Sequence, residues 1–412
     1  MASPPTPLSI GAVLKIRDLR RLWIGQIVSI FGDFLAIFAV LGIVSFQYRG
    51  DGTMIDLVLI SFLLPFTFVS PIAGVFVDRW NVKRTMIASD LIRSVLCFAL
   101  LLTTNVWQIY GILFALSCVS SFFMPAQSVA IRSIVPKEGL MSANGLMQQV
   151  MYAMQIIAPS IATMLVGWFG RNVCFWLDAA SFLVSAYMIS TITISREPAA
   201  ALKHVRSVFH ELTAGAKFIF THSAISFVVV AITAGMFAIR CWGALIALYV
   251  RDILKAGMYL FGGLSSLTGV GMIVGTQFIY RFARNRSKAH LVVGGLLGIG
   301  VGIAALTAFP SVAMAVVGML TVGFSASFLV VPSQTLLQEE TPPQMLGRVG
   351  GSMMSVMMGS QVLALAIAGP VEEKIGVRAV FFASAGLLAL IALAGHLRLR
   401  HHVPPKAESA NA

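Results

Sequence analysis

Apolar residues in this chain fall into blocks of about 20, each long enough to cross a ~30 Å hydrocarbon core as a helix. Short breaks of charged, Gly or Pro residues separate them. Twelve blocks can be marked out, at 22–47, 54–77, 85–103, 107–131, 145–168 and 173–194, then at 226–250, 258–280, 291–308, 312–335, 350–369 and 377–397. Composition agrees: 58% of the residues are apolar and 11% charged, against about 25% charged in a soluble domain.

The pattern repeats at half the chain length. Pro125-Ala-Gln127-Ser128 recurs as Pro332-Ser-Gln334-Thr335, each at the end of an even-numbered block. Each is followed by a proline-marked loop and a block rich in Met and Gln. The aligned segments share orientation, which predicts an all-α membrane protein of twelve transmembrane helices in two parallel six-helix repeats. The expected organisation is an N-terminal segment (1–21), a first half (22–194), a linker (195–225), a second half (226–397) and a tail (398–412). In the linker, Leu202, Val205, Phe209, Leu212 and Ala216 share one helical face against Lys203, Arg206, His210 and Lys217. That pattern predicts a helix on the membrane surface, with a solvated linker as the alternative.

Charge sets the expected orientation. A net charge of +13 would direct a soluble protein to nucleic acid, but 21 of the 29 Lys and Arg lie outside the blocks on the side of the termini. Only six lie on the other side (Arg49, Arg171, Arg251, Lys255, Lys374 and Arg378). The positive-inside rule then puts both termini in the cytoplasm, in the cell (inner) membrane, with basic loops facing anionic lipid headgroups and no nucleic-acid partner. The residues around Pro4, Pro5 and Pro7 do not form a cleavable leader, so the first block is expected to be retained.

Several chemistries find no support. The four cysteines sit inside blocks without CxxC spacing, and the histidines are scattered, so neither a disulfide framework nor a metal site is expected. Without a Walker A loop, His-Glu-x-x-His or Gly-x-Ser-x-Gly, an ATP-driven pump or hydrolase is not expected, nor is any cofactor. Gly271 with Gly275, and Gly294, Gly298 and Gly302, have the spacing that lets helices approach closely.

The loop after the second block reads Gly74-Val-Phe-Val-Asp78-Arg79-Trp-Asn81-Val-Lys83-Arg84. A carboxylate here can accept hydrogen bonds from a neighbouring helix N-terminus and act as a latch between moving halves; an ordinary topology-setting charged loop is the other reading. The segment resembles the loop between helices two and three of the major facilitator superfamily, Gly-x-x-x-Asp-Arg-x-Gly-Arg-Lys/Arg. Gly74, Asp78, Arg79, Lys83 and Arg84 match, and Asn81 stands at the glycine position, where a left-handed turn is expected. The corresponding second-half loop, 281–288, keeps basic charge without the aspartate. Leu22-Trp23-Ile-Gly25-Gln26-Ile-Val-Ser29-Ile-Phe-Gly32-Asp33, Ser89-Asp90-Leu-Ile-Arg93 and Ala143-Asn144-Gly-Leu resemble the bacterial efflux branch that contains macrolide and siderophore exporters.

The resemblance implies a monomeric secondary transporter that binds a small amphipathic substrate between its halves and rocks between two open states, with efflux driven by proton exchange. Two alternatives remain: a lysophospholipid flippase, whose Met353, Met354, Met357 and Met358 would suit acyl chains, and a receptor or assembly factor that does not transport.

Within the blocks, Asp33 lies ~16 Å deep and shares a helical face with Gln26 and Ser29. It is a candidate for the coupling proton or a cationic substrate group, or else a structural carboxylate between helices. Arg240, in line with Ser226 and Thr233, is a candidate partner for Asp33, or a side chain reaching to the nearer interface on the side away from the termini. Gln148, Tyr152 and Gln155, and Ser327, Gln334 and Gln338, form polar stripes that bond helices together or touch substrate, the first being preferred. Asp90 and Arg93, three apart, are expected to form a local ion pair or to contact the Asp78 loop. Asp178 is expected to stabilise a helix dipole.

Overall fold

The computed structural model describes residues 8–77, 80–194, 205–283, 286–342 and 345–401, and among them every regular element is helical. A short α1 (Ile10–Val13) precedes six long helices: α2 (Arg17–Gly42), α3 (Gly52–Val77), α4 (Val82–Leu101), α5 (Val106–Ile134), α6 (Leu140–Phe169) and α7 (Asn172–Ser190). The linker helix α8 (Val205–Thr221) leads to six more: α9 (Ser223–Leu248), α10 (Met258–Phe278), α11 (Lys288–Ala308), α12 (Val312–Glu340), α13 (Leu346–Ile375) and α14 (Val377–His401). Helices are what a hydrocarbon solvent selects, because every backbone N–H and C=O must find a partner within the segment.

Eleven helices among the described residues are long and apolar enough to span a membrane. The twelfth, α4, is 20 residues long and packs on α5 and α7, but Lys83, Arg84, Asp90 and Arg93 lower its hydropathy. Several helices outrun their apolar blocks. The eleventh block ends at residue 369, whereas α13 continues through Glu372, Glu373 and Lys374 to Ile375.

The two halves repeat each other in backbone detail. A π-helical turn follows α2 at Ile43–Gln47, and another follows α9 at Tyr249–Ile253, an offset of 249 − 43 = 206. The two non-glycine residues with positive φ, Arg49 (50°) and Lys255 (53°), differ by 206, as do Gly170 (79°) and Gly376 (81°). The same offset relates Asn105, which caps α5, to Ser311, which caps α12.

Within each half, equivalent pairs pack: α2 on α7 and α9 on α14, α3 on α5 and α10 on α12, α4 on α5 and α11 on α12. Across the seam, α3 meets α13 and α6 meets α10. The linker helix lies along the start of α13, where Gly215 faces the Arg348 carbonyl; Leu202 and Lys203 of the proposed amphipathic face lie outside the described residues.

Hydrogen bonds between the halves gather at the face opposite the termini. Gly369 N–H donates to Asp56 Oδ2 at 2.5 Å, Gly52 N–H to Glu372 Oε2 at 3.3 Å, and Thr53 Oγ1 to Glu373. Arg251 donates to the carbonyls of Ser45 (2.5 Å) and Gly50 (2.9 Å), and Ser160 pairs with Ser266 at 2.9 Å. That face is closed. The approach of α3 to α13 depends on Gly369, because a Cβ there would stand 2.5 Å from Thr53 N and 2.6 Å from Gly52 C.

Gly369→Ala is therefore expected to push α3 and α13 apart at an energetic penalty of about 1–3 kcal/mol, roughly a tenfold shift toward the state open on that face. With Thr53→Cys as reporter, labelling by a membrane-impermeant maleimide from that side should rise several-fold over Thr53→Cys alone. Unchanged labelling would show that the glycine contact does not hold the face shut.

Candidate functional site

Small residues on α2 decide what can gather behind it. Gly25, Ser29 and Gly32 form one stripe, and α7 packs against it so closely that a Cβ on Gly32 would lie 2.6 Å from Asp178 Oδ1 and 2.9 Å from Ser181 Cβ. Close approach through small residues is the usual way helices associate in lipid. Here it brings Asp33, the residue after Gly32, beside the polar face of α7.

The charged residues of α4 complete the cluster. Arg93 Nη1 stands 3.8 Å from Asp33 Oδ2, and its Nη2 is in direct contact with Asp90 Oδ1, one turn back on its own helix. The guanidinium carbon lies 4.5 Å from the ring centre of Phe123 on α5 and 4.2 Å from that of Phe182 on α7. Planar guanidinium suits this site, since its faces can stack on rings while its edge serves carboxylates. On α7, Asp178 accepts from the Cys97 thiol at 3.0 Å, and Ser94 Oγ donates to the Ala179 carbonyl at 2.9 Å. Two carboxylates, Asp33 and Asp90, thus share one guanidinium inside the first half, with a third, Asp178, packed against Gly32 beside them. Asp90, Arg93 and Asp178 are buried, whereas 35% of the Asp33 side chain is exposed, so Asp33 is the cluster's outlet.

The second half holds a different group at the same depth. Arg240 occupies the repeat position of Phe34 (240 − 34 = 206), one residue from Asp33, rather than lying several ångströms nearer the interface on the side away from the termini as residue counting suggests. Both its Nε (3.1 Å) and Nη2 (2.6 Å) donate to the side-chain oxygen of Gln361 on α13. No carboxylate lies within ion-pair distance of Arg240 among the described residues. The expected Asp33–Arg240 pair is absent because each has a nearer partner in its own half: Arg93 and Gln361.

Other expectations are redistributed. Gln26 and Ser29 are buried at 3% and 2% exposure and do not line an open space; the stripe they share is the one on which α7 packs. Gln148, Tyr152 and Gln155 are exposed on α6 and make no bond to another helix that the structure describes. They continue the face of Pro159 and Thr163, which touches Gly262 of α10, so they line the gap where the halves separate toward the termini. Gln334 is exposed on α12, and Ser327 bonds back to its own helix at the Phe324 carbonyl.

In the loop motif, Asp78 and Arg79 lie outside the described residues. Gly74 ends within α3, Lys83 Nζ donates to the Ile192 carbonyl at 2.8 Å, and Arg84 is exposed. Asn81 does not adopt a left-handed turn. Its φ of −69° is extended, and its side chain accepts from Arg84 N–H at 3.0 Å, so Asn serves here as the N-cap of α4. Asp90 and Arg93 do pair locally, within the Asp33 cluster.

Sequence reasoning missed three members of these sites. Asp178 is in the cluster with Asp33, and Cys97 is its donor, although neither has a polar neighbour in sequence that would reveal it. Asp56 is buried at the closed seam, with Oδ1 lacking a hydrogen-bond partner. An acidic residue inside an apolar block was the available signal for both aspartates. Among the described residues, no three His, Cys, Asp or Glu side chains are placed to hold a metal ion.

Residues 22–364 match the sequence profile of the Major Facilitator Superfamily. The MFS-type transporter YfiS of Bacillus subtilis is 24% identical over 396 residues, covering 92% of each chain. Macrolide efflux protein A of Streptococcus pyogenes is 23% identical over 90% of this chain and 93% of its own. Multidrug efflux pump Tap of Mycolicibacterium fortuitum is 24% identical over 82% and 85%. Among solved structures, the nucleoside transporter NupG superposes with a TM-score of 0.74 at 14% identity, covering 93% of this chain and 100% of its own. A bacterial homologue of the human lysosomal transporter Spinster, in an inward-facing and unoccupied conformation, gives 0.72 at 14%, covering 95% and 99%.

Removing Arg93 alone leaves its carboxylates without a counter-charge. Arg93→Gln is expected to lower stability by about 3–5 kcal/mol, read as a lower melting temperature in detergent. Asp90→Asn with Arg93→Gln should recover part of that loss. A double variant no more stable than Arg93→Gln would show that the guanidinium matters through its ring contacts alone.

Proposed function

Because the chain belongs to the major facilitator superfamily, and so is a multi-pass membrane transporter and not an enzyme, we propose that it exports a small amphipathic molecule by alternating access in exchange for protons. The observation that carries the proton coupling is the charge imbalance of the first half. Two carboxylates, Asp33 and Asp90, share one guanidinium with a third, Asp178, packed close by, and of the three only Asp33 is partly exposed. A cluster of that composition takes up and releases a proton with a change in its internal pairing, whereas a balanced ion pair in lipid has no reason to do so.

On this reading the termini face the cytoplasm, in keeping with the excess of Lys and Arg on that side. The closed face is then the outer one, and Asp33 stands at 3.8 Å from Arg93 with part of its side chain exposed, the arrangement of a carboxylate that has released its proton. Rocking to the outward-open state exposes Asp33 to the exterior. Protonation there removes its attraction for Arg93, which keeps Asp90 as its partner. Arg240, bonded only to the neutral Gln361, is free to offer a donor to an acceptor group of the substrate. Gln148, Tyr152 and Gln155 line the route from the cytoplasmic side. The efflux direction draws support from the relatives named macrolide efflux protein A and multidrug efflux pump Tap.

The test is flux in reconstituted vesicles with an imposed pH gradient and an internal pH dye, screening macrolides and other hydrophobic drugs. Wild type should show substrate-dependent proton movement, and Asp33→Asn should lose it at least tenfold while still binding substrate in detergent. Arg240→Gln should instead weaken substrate binding about tenfold. Flux that ignores the pH gradient, or that survives Asp33→Asn with its pH dependence intact, would rule out this coupling.

A further inference from the structure

Each half carries a groove set away from the seam, near the helix ends on the side of the termini. The first lies along α4 and α5 beneath the end of α3 and encloses about 700 Å³; the second lies between α10, α11 and α12 and encloses about 730 Å³. The helices that form them otherwise pack mainly within their own half, apart from the α3 and α10 contacts at the opposite face. The grooves are copies of each other. Arg84 in the first corresponds to His290 in the second, Asn81 to Ser287, Trp80 to Arg286 and Phe122 to Phe328, every pair separated by 206 residues. The cation has moved within the pair, since Trp80 is replaced by Arg286 and Arg84 by His290, yet each groove keeps an arginine at its rim.

The chemistry of both grooves has two zones. At the rim stand an arginine and a short polar residue at a helix start. Arg84, Arg286 and His290 are exposed, and none has an ion-pair partner among the described residues. Two neighbouring lysines are occupied: Lys83 donates to the Ile192 carbonyl and Lys288 pairs with Glu339. Deeper in, the walls are apolar and aromatic. Trp80 stacks on Phe122 with ring centres 5.7 Å apart, and Phe278 lies 6.0 Å from Phe328. Ile92 (50%), on the wall of the first groove, and Val95 (66%), one turn further along α4, are exposed apolar side chains that suit acyl chains.

We propose that each groove binds the headgroup of an anionic phospholipid, with the phosphate against the rim arginine and the first part of an acyl chain along the aromatic wall. An exposed guanidinium without an ion-pair partner among the described residues, near the helix ends above an apolar cleft, matches that ligand in charge and in polarity order. A soluble anion would use only the rim, and a neutral lipid only the wall. The duplication argues that two lipids bind, one per half, each bracing the end of a helix that must tilt when the halves rock. The inference does not depend on proton coupling, since lipid retention is read without transport.

Native mass spectrometry of the detergent-purified full chain tests it, after incubation with equal amounts of phosphatidylglycerol or phosphatidylcholine. Wild type should retain two phosphatidylglycerol molecules at concentrations at least tenfold below those needed for phosphatidylcholine. Arg84→Gln should retain one, Arg84→Lys should restore the second, and Arg84→Gln/Arg286→Gln/His290→Gln should fall to the phosphatidylcholine level. The rise in melting temperature caused by phosphatidylglycerol should follow the same order, which keeps the comparison valid if a variant starts less stable. Equal retention of the two lipids by wild type, or undiminished retention by the triple variant, would overturn the proposal. So would a melting-temperature rise from soluble glycerol 1-phosphate as large as that from phosphatidylglycerol.

Discussion

Hydrocarbon offers no water to a polar group left without a partner, and this one constraint orders the molecule from backbone to charge cluster. It makes the spanning segments helical. It also fixes where polar side chains can sit: at helix ends among headgroups, along the gap between the halves, or in groups that satisfy one another. The Arg93 guanidinium shows the grouping, with two carboxylates and two aromatic rings around it. The closed seam obeys the same rule differently. There, carboxylates of one half accept main-chain amides of the other, as Asp56 does from Gly369 and Glu372 from Gly52.

The architecture was legible in the sequence because lipid imposes it on every residue of a span. Twenty-residue apolar blocks, a 206-residue repeat and one long linker are collective signals that survive errors at single positions. Even so, α4 shows how a helix with buried charge dilutes the signal: Asp90 and Arg93 lower its hydropathy. The site was legible only in part. Asp33 stands out as an acid deep in an apolar block, but its surroundings come from helices 60 and 145 residues further along the chain (93 − 33 and 178 − 33). Nothing local in the sequence announces such partners. Asp33 is thus only one of two sequence candidates for Arg240, whose partner is Gln361, and Asp178, which reads as a helix-dipole residue, lies beside Cys97.

Asn81 illustrates a different failure. A glycine position suggested a left-handed turn, and Asn fits such turns; but Asn is equally a strong N-cap, and the backbone uses it as one. Where one residue type serves two local geometries, only the neighbouring chain direction decides. The halves, for all their backbone likeness, have diverged in chemistry. One concentrates acids around a single base, and the other places a base beside a neutral amide.

Arg251 carries a consequence for how the halves recognise each other. It sits at the repeat position of Ser45 (251 − 45 = 206), so the two π-helical turns meet with one supplying a guanidinium and the other its carbonyls. Two copies of the second half, joined in the same way, would bring guanidinium against guanidinium. Two copies of the first would leave the carbonyls of Ser45 and Gly50 without their donor. A chain that arose from like units has in this way become a pair of unlike ones, each of which fits the other better than it fits itself.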